Sequence, residues 1–265
     1  YFDVGIAEEH GALFACGLAA EGMKPYIAIY STFMQRCIDM IQHDAALQKL
    51  PVRFCMDRAG LSPDDGPTHH GLFDIAMIRS IPNIIFMQPK DEAEFVHMLR
   101  TMNHYQNGPT VIRYPRGCGA GTPVPAKAEI LPIGKAEVLQ TGRDVTLVSL
   151  GTMIGIARET ASLLEARGYT VTLINARFIK PLDDECIRRH AARSRVVCTF
   201  EDHSISGGFN SAVLESLETG DVKTPVEAIA WPDQFIEHGS ESILRKKYGL
   251  TAEAALQKII THLNS

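Results

Sequence analysis

The sequence predicts an α/β protein with two consecutive domains, each built on a mainly parallel sheet covered by helices. Short apolar runs alternate with helix-like segments along the whole chain. The length of 265 residues suits two domains better than one. A stretch rich in glycine and proline lies near the middle. We therefore predict domains at residues 1–118 and 135–265, joined by a linker at 119–134.

In the first domain, strands are predicted where short apolar runs are bounded by turn residues. These runs lie at residues 2–7, 25–30, 52–56, 84–87 and 110–114. Helices are predicted at 11–20, 34–49 and 91–105. The last helix begins at Asp91, a good N-cap residue, and Glu94 stands at the spacing of a capping box. The first strand should be buried and parallel, with Glu8 and Glu9 at its carboxyl end.

The second domain repeats this alternation of strands and helices. Its strands are predicted at residues 145–150, 171–176, 196–199 and 226–230. A helix at 152–167 ends at Gly168, which suits a left-handed C-cap, and the last two helices begin at Ser240 and Thr251. Strands that alternate with helices pair as parallel neighbours, so their carboxyl ends should meet at one edge of each sheet.

Composition and charge exclude several classes of protein. Hydrophobic residues make up 45% of the chain and charged residues 22%, as in ordinary soluble domains. The net charge of −5 argues against a nucleic-acid partner. No apolar run approaches the roughly 18 residues of a membrane helix, so no membrane partner is expected. The six cysteines lack paired spacing, which indicates reduced thiols and an intracellular protein.

Polar side chains follow four of the predicted strands of the first domain. Because the carboxyl ends of parallel strands share an edge, we expect these side chains to converge on a ligand. They are Glu8, Glu9 and His10; Tyr30, Ser31, Thr32, Phe33 and Arg36; Arg58, Asp64, Asp65, His69 and His70; and Arg113, Tyr114 and Arg116. Several arginines near one edge favour an anionic ligand. The alternative is that the aromatic residues belong to the core and the arginines are solvated.

Two further interpretations of polar or glycine-rich segments are less favoured. The acidic pair and the histidine pair of the loop at 64–70 could ligate a metal. Adjacent histidines in an extended segment point apart, so a loop that contacts substrate is favoured instead. The pair Gly207–Gly208 precedes a helix and could cradle a phosphate. Without the rest of a nucleotide-binding motif, close packing is the favoured explanation of this pair.

Runs from both domains carry a resemblance to a known family. In the first domain they are YFDVGIAEEH (1–10), IYSTFMQR (29–36), DRAG (57–60), DGPTHHG (65–71) and RYPRG (113–117). In the second domain they are RFIKPLD (177–183) and PDQFIEHG (232–239). Together they resemble the 1-deoxy-D-xylulose-5-phosphate synthases, thiamine-diphosphate enzymes of the transketolase family. The resemblance spans nearly the whole chain and implies a pyrimidine-binding domain followed by a transketolase C-terminal domain.

The resemblance implies that Glu8 is the catalytic glutamate that binds the aminopyrimidine ring of thiamine diphosphate. This contact favours the ring tautomer that takes the proton from the reacting carbon. Glu9 is the neighbouring alternative, but the preceding residues align Glu8 with the family's glutamate. Phe33 resembles the residue that stacks on the pyrimidine, and Arg36 resembles a contact to both cofactor and substrate.

The same resemblance implies a set of substrate contacts. Tyr30, Asp65 and His69 are implied to lie around the reacting carbons and to take part in catalysis. Arg58 and Arg116 are implied to bind anionic groups, including a phosphate. The implied reaction condenses pyruvate with D-glyceraldehyde 3-phosphate, releases CO₂ and gives 1-deoxy-D-xylulose 5-phosphate. That product feeds the synthesis of isoprenoids, thiamine and pyridoxal.

The resemblance also implies a missing N-terminal domain. Members of the family bind the diphosphate and Mg²⁺ through a motif of that domain, so we expect no metal ligand in this chain. We expect the chain to be the C-terminal part of a longer enzyme, inactive alone, without the first strand and helix of its pyrimidine-binding domain. A homodimer in the bacterial cytoplasm, or in the plastid stroma, is expected. The alternatives are the C-terminal subunit of a split transketolase-like enzyme and a non-catalytic dimerisation module of the same fold.

Overall fold

A computed structural model of the chain describes residues 1–264. It contains two five-stranded sheets flanked by helices, which confirms the predicted α/β class with two mainly parallel sheets. The strands are β1 (Tyr26–Tyr30), β2 (Arg53–Asp57), β3 (Ile85–Met87), β4 (Thr110–Arg113), β5 (Glu137–Gln140), β6 (Val145–Ser149), β7 (Val171–Asn175), β8 (Phe178–Lys180), β9 (Val196–Ser204) and β10 (Val226–Trp231). The α-helices are α1 (Glu8–Ala20), α2 (Ser31–Met34), α3 (Ile38–Met40), α4 (Asp74–Arg79), α5 (Glu92–His104), α6 (Ile154–Glu165), α7 (Asp184–Ala191), α8 (Phe209–Thr219), α9 (Glu241–Tyr248) and α10 (Ala252–Leu263).

The first sheet has the strand order β1-β2-β4-β3-β8, and its first four strands are parallel. At the carboxyl ends, Tyr30 lies opposite Asp57, and Met56 lies opposite Arg113. The inner strand β4 is buried at every position, as expected for a parallel sheet with both faces covered. The polar residues that follow β1, β2 and β4 therefore meet at one edge.

The fifth strand of this sheet comes from the second half of the chain. β8 pairs antiparallel with β3, with Lys180 opposite Phe86 and Phe178 opposite Met87. β8 is not among the strands predicted from the sequence, because a strand of three residues followed by proline is too short an apolar run to recognise. The two predicted domains thus share a sheet, and the boundaries between them stay a prediction.

The second sheet has the order β10-β9-β6-β7-β5, with β5 antiparallel to its neighbour. Its carboxyl edge faces the first domain rather than solvent. The side chain of Gln88, which follows β3, occupies the space where a Cβ on Gly151 would lie. Gly151 has a φ of +58°, so the turn after β6 needs glycine for both reasons. The edge at which such sheets commonly bind ligands is used here to dock the two halves.

Residues 2–7, predicted as a buried parallel strand, form no strand in the part of the chain that the structure describes. Phe2 and Ile6 are 64% and 91% exposed. β1 is the edge strand of the first sheet, and residues 1–7 do not extend that sheet. An apolar run becomes a strand only where a neighbouring strand supplies hydrogen bonds. Phe2 packs instead edge to face on Phe14, with ring centroids 5.0 Å apart.

The predicted helix at 34–49 is a succession of short helical segments. α2 is followed by a 3₁₀ turn (Gln35–Cys37), then by α3 and a π-helical segment (Ile41–Ala46). The backbone of Cys37 has a φ of −111° and leaves the α-helical path. Periodicity of apolar residues predicts one helix here because it does not detect such breaks.

Glu94 has a role different from the predicted capping box. Asp91 does cap α5, since its Oδ1 accepts from the backbone N–H of Glu94 at 2.8 Å. The Glu94 carboxylate does not return to Asp91. Its Oε1 accepts from Nε of Arg177 at 2.7 Å and from Nδ2 of Asn175 at 2.9 Å, and its Oε2 accepts from the N–H of Lys90 at 2.8 Å. Donors from the second half bind this buried carboxylate, so it joins the two halves.

Among residues 1–264, no helix is long and apolar enough to cross a membrane. All six cysteines are free thiols, and Cys118 alone among them is exposed.

Candidate active site

The eight site residues predicted from the sequence lie in one continuous chain of contacts at the carboxyl edge of the first sheet. At one end, Glu8 begins α1, and its side chain is 11% exposed. Its Oε1 accepts from Nη1 of Arg36 at 3.0 Å. Its Oε2 makes no hydrogen bond with any described residue. The side chain of Glu9 makes no hydrogen bond or ion pair within residues 1–264, so Glu8 is the one of the two carboxylates that contacts another predicted site residue.

An aromatic cluster follows this ion pair. Phe33 stacks on Tyr30 with ring centroids 5.7 Å apart and meets the ring of His69 edge to face at 5.3 Å. The guanidinium of Arg36 lies over the Phe33 ring at 4.9 Å. Phe33 is half-buried, so part of its surface faces solvent between the carboxylate and the imidazole.

A group of alternating charges forms the other end of the site. The guanidinium of Arg58 lies over the Tyr30 ring at 3.7 Å, and it pairs with Asp57. Its Nε is 3.7 Å from Oδ2 of Asp65, which also accepts from Nη1 of Arg116 at 2.9 Å. Arg116 is half-exposed and Arg58 is not. Guanidinium groups bind phosphate and carboxylate groups in bidentate geometry, so this end of the site suits an anionic ligand.

A loop and a turn place these side chains. Asp65 and His69 lie on the loop between β2 and α4, and Thr32 of α2 donates from Oγ1 to the carbonyl of His69 at 2.9 Å. The loop thereby contacts the segment that carries Tyr30 and Phe33. His10, another of the polar residues predicted to converge at this edge, lies outside this chain of contacts. Its ring stacks on that of Phe14, with centroids 6.1 Å apart.

Arg113 and Tyr114, at the end of β4, are among the predicted polar residues that lie behind the site. Arg113 is fully buried, and its Nε donates to Oδ2 of Asp74 at 3.0 Å. Asp74 in turn accepts from Oγ of Ser31 at 2.9 Å. Tyr114 packs on Phe95, and burial raises the pKa of its phenol to about 12. Asp74 is not among the residues predicted from the sequence, and the available signal was an acidic residue directly before the apolar run at 75–78.

The structure gives the metal interpretation of the loop at 64–70 no support. Within residues 1–264 no group of three or more potential ligand side chains is close enough to hold a metal ion. Asp64 and Asp65 pair with Arg116 instead. His69 and His70 contact different partners, as expected for neighbours in an extended segment.

The pair Gly207–Gly208 forms no phosphate cradle, because a carboxylate already occupies the start of α8. Glu201 accepts through Oε2 from the N–H of Phe209 at 2.6 Å and through Oε1 from the N–H of Asn210 at 2.8 Å. A Cβ on Gly208 would clash with this carboxylate, so close packing explains the glycine. Burial raises the pKa of Glu201 to about 8, although both backbone donors act to lower it.

This raised pKa makes the stability of the chain depend on pH. Folded Glu201 keeps its proton up to about pH 8, whereas an unfolded glutamate loses it near pH 4.3. Between these values the folded state binds the extra proton, so this group lowers the free energy of unfolding by about 1.4 kcal/mol per pH unit as pH rises. In Glu201→Gln that titration is absent. From pH 5 to pH 8 we therefore expect urea titrations to show wild type losing stability relative to the variant.

The difference between the two proteins is the quantity to measure, because titrations common to both cancel in it. Burial lowers the pKa of His70, for example, and this histidine remains in the variant. A difference that stays constant from pH 5 to pH 8 would contradict the prediction.

Comparison with known proteins places these features in a family. Residues 1–120 match the pyrimidine binding domain of transketolase, and residues 134–254 match the C-terminal domain of transketolase. The solved structure of a split-gene transketolase, an inactive β4 tetramer, is 31% identical with a TM-score of 0.87. That match covers 99% of this chain and 83% of the other.

Curated relatives are more similar and considerably longer. The 1-deoxy-D-xylulose-5-phosphate synthase of Methylacidiphilum infernorum is 54% identical over 268 residues, and that of Acidobacterium capsulatum is 53% identical over 264 residues. These matches cover 100% and 99% of this chain, but the chain spans 42% of the length of each relative. The chain therefore belongs to the transketolase family and corresponds to the C-terminal portion of its 1-deoxy-D-xylulose-5-phosphate synthases.

Proposed function

We propose that this chain supplies the pyrimidine-binding and C-terminal domains of a 1-deoxy-D-xylulose-5-phosphate synthase. The enzyme would condense pyruvate with D-glyceraldehyde 3-phosphate, release CO₂ and form 1-deoxy-D-xylulose 5-phosphate. One observation carries the proposal: a carboxylate, an aromatic cluster and a pair of arginines follow one another in direct contact along a single sheet edge. The carboxylate of Glu8, which would activate the cofactor, thus lies on the same surface as Arg58 and Arg116, which can bind an anionic substrate.

The residues at the Glu8 end fit the aminopyrimidine ring of thiamine diphosphate. Phe33 offers a partly solvent-facing aromatic ring, and Oε2 of Glu8 is without a hydrogen-bond partner in the described chain. When bound, this cofactor supplies a nucleophilic carbon and an electron sink for decarboxylation. Glu8 would hold a proton at a ring nitrogen, and Arg36 would fix the carboxylate through its 3.0 Å hydrogen bond.

The residues at the other end suit the substrates. Arg58 and Arg116 would bind the phosphate of D-glyceraldehyde 3-phosphate, and Asp65, which pairs with both guanidinium groups, would position them for it. The imidazole of His69 and the phenol of Tyr30 would donate and accept protons at the reacting oxygens. Both flank Phe33, so they would lie beside the pyrimidine.

We propose that the remaining part of the cofactor site lies outside this chain. Relatives are more than twice as long, since the chain spans 42% of their length. The diphosphate and Mg²⁺ would bind an N-terminal domain, supplied either by the same polypeptide or by a separate subunit. We also propose a homodimer of the complete enzyme in the cytoplasm.

The test is an assay of this chain with and without the N-terminal domain. The complete enzyme, given Mg²⁺, thiamine diphosphate, pyruvate and D-glyceraldehyde 3-phosphate, should release CO₂ and form 1-deoxy-D-xylulose 5-phosphate in equal amounts. The 265-residue chain alone should form neither. Turnover by the chain alone would refute the assignment of half the cofactor site to another domain.

The similarity to a split-gene transketolase favours one alternative function. In that case the chain would be one subunit of an enzyme that uses sugar-phosphate ketol donors in place of pyruvate. Incubation of the complete enzyme with each donor class separates the two, because only the pyruvate reaction releases CO₂. Inactivity with both donor classes would instead favour a non-catalytic module.

A further inference from the structure

We propose that His70 is a positioning residue that holds closed the loop carrying Asp65 and His69, through its contact with the backbone of Ser62. The effect on catalysis rests on the proposed function, whereas the effect on the loop does not. His70 is 3% exposed and therefore cannot itself meet a substrate as the loop stands. It lies next to His69 in sequence, but its side chain faces the protein interior.

The loop has a narrow base. Gly60 and Gly71 pair with each other through two backbone hydrogen bonds of 2.8 Å, and residues 61–70 extend between them. A Cβ on Gly71 would clash with Ser31, and a Cβ on Gly60 would clash with Asp202 of β9. The base is thus pressed between the segment after β1 and the second half of the chain. Beyond this base, the loop needs its own contacts to hold a defined shape.

His70 supplies a cross-link within the loop. Its Nδ1 accepts from the backbone N–H of Ser62 at 3.0 Å, which requires the proton of the neutral ring to lie on Nε2. Nε2 then donates to the carbonyl of Glu237 at 3.3 Å, in the segment between β10 and α9. The carbonyl of Ser62 accepts from the N–H of Asp65 and of Gly66. The cross-link therefore anchors the turn from which the Asp65 side chain projects.

The surroundings keep this imidazole neutral. Burial lowers its pKa, and the nearby His238 acts in the same direction, while the carboxylates of Asp202 and Asp65 and the bond to Glu237 act against it. A protonated ring would place a second N–H against the Ser62 donor. The neutral form is the one that can accept, so the cross-link is intact at neutral pH.

Three substitutions at this position separate its two hydrogen bonds. Asparagine places an acceptor where Nδ1 stands and lacks the reach to Glu237, whereas glutamine places a donor where Nε2 stands and lacks the acceptor for Ser62. Alanine removes both. In the complete enzyme we expect His70→Ala and His70→Gln to lower kcat/KM about 100-fold, because displacing Asp65 and His69 by about 1 Å is enough for such a loss. His70→Asn should keep most of the wild-type kcat/KM.

Hydrogen exchange supplies the readout that is independent of activity. In His70→Ala the amides of residues 62–70 should exchange about fivefold faster or more, as expected for loss of one hydrogen bond. The amides of β2 and β4 should exchange as in wild type, which a general loss of stability would not allow. His104→Ala is the matched control, because His104 is exposed at the end of α5. It should change neither measurement.

Several outcomes would overturn the proposal. One is His70→Ala behaving like His104→Ala in both measurements. Another is full activity of His70→Gln together with reduced activity of His70→Asn. Activity would then depend on the hydrogen bond to Glu237 and not on the one to Ser62. If His70→Ala does not fold, the asparagine and glutamine variants still decide between the two bonds. A wild-type complete enzyme without synthase activity would refute the proposed function, and hydrogen exchange would then decide the loop closure by itself.

Discussion

Replacing Glu8 with glutamine in the complete enzyme is expected to lower kcat about 1,000-fold, within the range that general acid–base groups contribute. Glutamine has the same size and can still accept from Arg36 through its amide oxygen, so the local structure should persist. Its other end becomes an NH₂ donor, which cannot accept a proton or a hydrogen bond from a ring nitrogen. The proton transfer that Glu8 is proposed to support would then lack its partner. Steady-state kinetics with pyruvate and D-glyceraldehyde 3-phosphate measures the loss.

Glu9 provides the matched control for this substitution. It lies next to Glu8 in the first turn of α1, has the same charge and makes no polar contact with the described residues. Glu9→Gln should therefore retain kcat within about twofold, since surface substitutions change free energies by no more than about 0.5 kcal/mol. Equal losses in the two variants would point to the charge of the helix N-terminus instead of a specific carboxylate. Loss in Glu9→Gln alone would reverse the assignment.

Much of the site was predictable because it depends on strand order and side-chain chemistry. Tyr30 ends one parallel strand, and Arg58 and Arg116 follow two others, so the α/β pattern alone brings them to one edge of one sheet. The role expected for Glu8 came from the resemblance, and its contact with Arg36 agrees with that expectation. The α/β pattern predicts Glu8 at the end of a buried strand, but residues 1–7 form no strand and Glu8 begins α1.

The remaining features depend on contacts between parts of the chain that are distant in sequence. β8 completes the first sheet only because the second half folds against β3. The Glu94 carboxylate leaves its predicted capping box because Arg177 and Asn175, more than 80 residues later, bind it more favourably. Local patterns contain no information about such partners. Residues that support the site from behind, such as Asp74 and His70, are therefore the ones that sequence reasoning missed or left without a role.

Arg113→Met is expected to have the largest effect on stability, lowering the free energy of unfolding of this chain by about 3–5 kcal/mol. Arg113 and Asp74 are both fully buried and pair at 3.0 Å. The guanidinium also donates to Oε1 of Gln88 at 2.6 Å and to the carbonyls of Gly71 and Asp202 at 3.3 and 3.2 Å. Methionine fills similar space but leaves the Asp74 charge unpaired in the interior. Urea titration of the 265-residue chain measures the change.

Arg116→Met is the matched control, because Arg116 lies three residues further along and is half-exposed. It should change the free energy of unfolding by no more than about 0.5 kcal/mol while still impairing synthesis by the complete enzyme. The double variant Asp74→Asn with Arg113→Met should be more stable than Arg113→Met alone, because no unpaired charge then remains buried. If the double variant were less stable than wild type by the sum of the losses in Asp74→Asn and Arg113→Met, the two residues would act independently. That result would contradict the role of the Asp74–Arg113 ion pair as the link between Ser31 and the carbonyl of Asp202.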